Sequence, residues 1–122
     1  MKFSSLKIWF ITHAIVDLII ALPLLFYPVF FLEMFGFSNI NPLLARLIAA
    51  ALLAIGGNSY LMRNGSKEEY KSMLNLKLIW SIVAIFSIGG HMWETHSIAG
   101  LPFLLVFGVF AFVWLCYRIK LK

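Results

Sequence analysis

The chain has 122 residues, of which 62% are hydrophobic and only 12% charged, with a formal net charge of +5 and a mean hydropathy of +0.95. Soluble domains average roughly 45–50% apolar residues, so this composition excludes an ordinary water-soluble globule, and the length allows a single domain. Apolar blocks near 20 residues match the ~20 residues that cross a ~30 Å hydrocarbon core, so residues 1–122 read as one integral transmembrane domain.

From Met1 to Lys7 the chain has the basic flavour of a signal peptide, but the apolar run from Ile8 outlasts the ~7–15 residues of an h-region. It contains His13 and Asp17 and lacks an A-x-A cleavage site, which reads as a retained signal anchor. This first span covers about residues 6–27, and Pro23 within it predicts a kink, because proline removes a backbone donor and crowds the preceding turn. Residues 28–36 read as a short helix lying at the membrane interface, with Pro28 at its first position and Gly36 as its C-terminal cap. Asn41-Pro42 supplies a side-chain cap followed by proline, opening a second span over 42–63 that ends at Arg63-Asn64-Gly65.

Ser66 followed by Glu69 is a capping box, so the third helix begins in water and crosses the membrane over about 74–95. Gly89-Gly90 is expected to loosen its outer end. Ser97 is a candidate cap for a fourth span over 98–117, with Pro102 in its first turns. The fold expected is all-α: an up-down four-helix bundle in the membrane, plus the short interfacial helix between the first two spans.

Charge placement gives the orientation. With four spans, Lys2, Lys7, Arg63, Lys67, Lys71, Lys77, Arg118, Lys120 and Lys122 fall on or near one side, and only Arg46 of the ten basic residues lies toward the other. The positive-inside rule then puts both termini in the cytoplasm, as a multi-pass protein of the plasma (inner) membrane. The Asn64-Gly65-Ser66 sequon shares that side and reads as chance. The basic face is suited to anionic lipid headgroups, and nothing in the pattern points to nucleic acid. Cys116 stands alone, which excludes an internal disulfide and leaves a packing role or reversible acylation.

Ionisable groups inside a membrane are expensive and normally face a bundle interior or a cavity. His13 and Asp17, four apart, share one helix face and form either a packing pair or a proton or ligand site. Asn58 lies at a similar depth and is a candidate partner, and Trp80, whose indole N–H needs an acceptor, reads to the same level. Arg46 can snorkel to the outer headgroups or pair with Glu33, Glu94 or Asp17. Around it, Ala45/Ala49, Ala50/Ala54 and Gly56-Gly57 suit close helix approach, which predicts a central, tightly packed second helix. On the third helix Lys77, Ser81, Ala84, Ser87, His91 and Glu94 form a mixed stripe expected to face inward. Phe103, Phe107, Phe110 and Trp114 make an aromatic stripe on the fourth, read as bundle packing or lipid contact rather than a cofactor box.

The polar interior is therefore expected to comprise His13, Asp17, Arg46, Asn58, Trp80, His91 and Glu94, with no catalytic set. Metal is disfavoured, because His91 and Glu94 share a face but His96 would need the helix to have ended. Bis-His haem is disfavoured too, since His13 and His91 belong to opposite leaflets.

The order of four spans, the interfacial Pro28–Gly36 segment, and Pro42-x-x-x-Arg46 opening a small-residue helix that ends in Gly56-Gly57 resemble the DoxX-like superfamily of small four-helix membrane proteins. The likeness covers most of the chain in layout and residues 23–57 in pattern, with alanine here where relatives often carry glycine. It implies a role for Arg46, and through some relatives a link to quinone-coupled sulfur oxidation or oxidative-stress defence.

Three function classes follow. One is a binding or accessory bundle that holds a quinone, a lipid or a larger membrane partner, itself or as a homo-oligomer. Another is a proton-coupled transporter using Asp17 and His13. Its acid in a first helix resembles that of small multidrug-resistance exchangers, whose antiparallel dimers need little charge bias, unlike this chain. The third is an intramembrane enzyme with His/acid chemistry, for which no convergent set of residues is visible.

Overall fold

The computed structural model describes residues 4–121; Lys2 and Lys122, counted among the basic residues of one side, lie outside them. Five helices follow in order: α1 Ser4–Phe26, α2 Pro28–Met34, α3 Pro42–Leu61, α4 Lys67–Thr95 and α5 Leu101–Lys120. All except α2 are long and apolar enough to cross a membrane. Large apolar side chains point outward along every one of them, with Phe86 76% and Trp93 82% exposed. Water does not tolerate such a surface, whereas hydrocarbon does.

The helix ends follow local chemistry. Asn41 Oδ1 accepts from the N–H groups of Leu43 at 3.0 Å and Leu44 at 3.2 Å, so α3 opens on a capped first turn with Pro42 inside it. At α4, Ser66 Oγ accepts from Glu69 N–H at 3.2 Å, while Glu69 Oε1 accepts from Ser66 N–H at 2.7 Å. Both bonds of the capping box are therefore present, and two of the four orphan donors are satisfied. At 29 residues α4 is ~43 Å long by the 1.5 Å rise, more than a ~30 Å core needs, so part of it extends into water.

The short α2 ends in a Schellman motif: Phe37 N–H donates to the Leu32 carbonyl at 3.2 Å and Gly36 N–H to that of Glu33 at 3.0 Å. Gly36 takes φ 98, a left-handed value that a side chain resists.

Two local expectations change. Ser97 does not cap the last helix: its Oγ accepts from Ala99 N–H at 3.1 Å within a turn, and α5 starts only at Leu101, behind Gly100 and without a side-chain cap. The fourth span accordingly runs later than 98–117. The C-terminal end of α4 is not interrupted at Gly89-Gly90 but continues as helix to Thr95, where His96 terminates it with φ 53. Helix α1 runs through Pro23 to Phe26.

The chain divides into two compact units, one up to Asn64 and one from Gly65. In the first, α1 and α3 pack antiparallel, Phe10 opposite Ser59 and Leu25 opposite Arg46. Leu6, Phe10, His13, Asp17, Ala21 and Leu24 are the buried residues of α1. On α3 these are Ala45, Ala49, Leu52, Gly56 and Ser59. Both sets repeat at three- and four-residue steps, the period of a helix seam. Four of the five α3 residues are small, which lets the two backbones approach closely.

In the second unit α4 and α5 also pair antiparallel: Arg118 Nε–H donates to Asn75 Oδ1 at 2.8 Å, and Trp80 meets Phe107 edge-on with ring centroids 6.0 Å apart.

Candidate functional site

In the seam of α1 and α3 the buried polar side chains are His13, Asp17 and Ser59. His13 and Asp17 lie one helical turn apart and are both buried, with His13 Nε2 3.4 Å from Asp17 Oδ2. That separation is an electrostatic contact rather than a short hydrogen bond. Opposite them, Gly56 supplies the room: a Cβ at this position would stand 2.7 Å from Asp17 Cβ and 2.9 Å from Asp17 Oδ2. One turn toward the α3 C-terminus, the buried Ser59 hydroxyl donates to the Phe10 carbonyl at 2.9 Å and fixes the register of the two helices.

Beside this seam runs a half-open groove of about 300 Å³. Helix α1 lines it with Ala14, Ile15, Asp17 and Leu18, and α3 with Leu52, Leu53, Gly56, Gly57 and Tyr60. Asp17 is the acid among these residues and none of them is basic. Ile15, Leu18, Gly57 and Tyr60 are exposed, so the groove opens on the outer face of the helix pair. No atom lies within 4 Å of where a Gly57 Cβ would stand. At the far end Arg63 lies over the Tyr60 ring, 3.9 Å from its centroid, and its Nη1 donates to the Tyr60 carbonyl at 2.8 Å.

The other residues expected to be interior distribute differently. Asn58 is exposed, and the residue that α3 turns toward α1 at that level is its neighbour Ser59. Arg46 is exposed as well, and within its unit the contact it makes is not to the Glu33 or Asp17 carboxylate. Its Nε–H donates to the Leu25 carbonyl at 3.1 Å. Leu25 lies in the last turn of α1, where carbonyls run out of intrahelical donors and a cation is favoured.

The mixed stripe of α4 divides in two. Lys77 and Ser81 are buried, whereas Ser87, His91 and Glu94 are exposed. Ser87 turns its hydroxyl back to the Val83 carbonyl at 2.8 Å, and Thr95 does the same to that of His91 at 2.8 Å. Lys77, 0% exposed, carries its ammonium 4.6 Å from the centroid of the buried Trp114 ring. Trp114 stacks on Phe110 at 5.5 Å, so the aromatic stripe of α5 is packing, turned toward α4. Trp80 is half-buried, and its indole Nε1 is enclosed without a hydrogen-bond partner. Among the described residues no three His, Cys, Asp or Glu side chains gather as a metal site.

Sequence reasoning paired Asp17 with His13 but missed Gly56, Ser59 and Tyr60 as parts of the site. The available signal was the three–four spacing 45-49-52-56-59, which selects one face of α3 and excludes Ala50, Ala54 and Asn58. Comparison with protein-family profiles, with curated proteins and with solved structures finds no match for this chain.

Proposed function

We propose that this is a multi-pass membrane protein that binds a lipophilic small molecule, a quinone or a membrane lipid, in the groove between α1 and α3. One observation carries this reading: a largely apolar groove of about 300 Å³, open on the outer face of the helix pair, with a buried carboxyl in its wall. Small-molecule sites combine apolar lining with few polar groups, and this volume lies at the small end of their range. A lateral opening admits a ligand already dissolved in the bilayer. The DoxX-like resemblance of residues 23–57 belongs to the same proposal. So does the up-down crossing of the four spans with both termini in the cytoplasm, which rests on the placement of the basic residues.

Gly57→Leu tests the groove directly. The position is open to a Cβ and lines the groove, so a leucine side chain there is placed to occupy it, and leucine suits a helix better than glycine. Lipid and quinone extracted from purified protein and quantified by mass spectrometry should fall several-fold in the variant, with thermal stability unchanged. Equal content in the two proteins refutes binding in this groove.

A second reading, proton-coupled transport, is favoured by the buried His13–Asp17 pair. It requires uptake to collapse in Asp17→Asn, and equal uptake in both proteins eliminates it.

A further inference from the structure

We propose that the ligand of the α1–α3 groove carries an amine head, and that Asp17 selects it over acidic and neutral amphiphiles of equal chain length; this rests on the groove being a ligand site. The chemistry of the walls leads there. Asp17 is the acid among the nine lining residues, and no lysine, arginine or histidine is among them. The basic side chains of α3 and of the turn after it are held by protein groups: Arg46 on the Leu25 carbonyl, and Arg63 at the far end of the groove, on the ring and carbonyl of the lining residue Tyr60. By chain position Arg46 is ten residues from Gly56, ~15 Å along the helix.

A carboxylate head entering such a groove would meet the Asp17 carboxyl in a medium of low dielectric, and His13, 3.4 Å from Asp17 Oδ2, is buried in the seam and does not line the groove where it could offset the head. An amine is matched to Asp17 in either protonation state of the carboxyl. As an ammonium it donates charge-assisted hydrogen bonds to the carboxylate, and as a free base it takes the acid proton and arrives at the same pair. An alcohol offers one neutral hydrogen bond and ranks between the two. The two glycines make this arrangement specific to the site. Gly56 leaves the space that Asp17 occupies against α3, and Gly57 leaves the adjoining space for the head and the first carbons of the chain.

The test uses the full chain in nanodiscs of phosphatidylcholine, with dodecylamine, dodecanol and dodecanoate added at equal mole fraction. Probe retained per protein is read by native mass spectrometry. The expected order is amine, alcohol, acid, with amine over acid by roughly tenfold or more, the range of one charge-assisted hydrogen bond. In Asp17→Asn the amine should fall to the level of the alcohol while alcohol retention is kept, and in Gly57→Leu all three should drop. Equal retention of the three probes by the parent, or preference for the acid, overturns the head-group assignment and leaves the groove standing. Persistence of the amine preference in Asp17→Asn overturns the role of Asp17. Retention of none of them by the parent overturns the groove itself. The ranking in the parent decides the proposal even if a variant fails to fold.

Discussion

Gly56 and Gly57 are neighbours in sequence, yet the absence of a side chain has opposite consequences at the two positions. At Gly56 the missing Cβ is occupied space, filled by the Asp17 side chain at 2.7 Å, whereas at Gly57 it is open. Gly56→Ala must displace the Cβ and carboxyl of Asp17, an overpacking that costs about 1–3 kcal/mol. Gly57→Ala meets nothing and should be neutral or stabilising by up to ~1 kcal/mol through helix propensity. Denaturation of both variants in mixed micelles checks the contrast; equal stability of the two would contradict the close approach of α1 and α3. The glycine pair was visible in the sequence as a small-residue feature. Which glycine faces Asp17 was not, because each helical residue advances the side-chain direction by ~100° and only the partner helix chooses the face. The same rotation separates exposed Asn58 from buried Ser59.

At the scale of elements, the caps were the most legible features, since each is closed by residues two or three apart. Ser66→Ala removes an acceptor for Glu69 N–H and breaks the reciprocal box, so α4 should lose about 1 kcal/mol, visible as earlier fraying of residues 66–70 in amide exchange. Ser97→Ala should leave protection at the start of α5 unchanged, because its hydroxyl holds Ala99 in a turn and caps no helix. An equal loss at both helix starts would contradict that assignment. Ser97 had the residue type of a cap, but Pro102 fits as the second residue of the helix, which moves the start to Leu101. The stripe of α4 was legible as polar and apolar spacing. Its division into a buried half at Lys77 and Ser81 and an exposed half at His91 and Glu94 was not.

For the molecule as a whole, four long apolar helices follow from composition and block length, and their exposed aromatic and aliphatic side chains call for lipid. The proposed orientation yields its own prediction. With Cys116 replaced by serine, a single cysteine at Gly65 should resist a membrane-impermeant maleimide applied from outside, and one at Ser97 should react within minutes. The reverse pattern would invert the topology and with it the basic-inside assignment.

The amino-acid sequence by itself determined the number of spans, the capped starts of α3 and α4, the glycine-terminated α2 and the shared face of His13 and Asp17. All of these depend on composition or on residues within one helical turn. Only the tertiary structure decided which face of α3 meets α1, that Ser59 rather than Asn58 is turned inward, that Arg46 donates to the end of α1, and that a groove opens beside Asp17. Those depend on the register of two helices about 40 residues apart in the chain. Register is set by the summed close packing of small side chains, which no local pattern encodes.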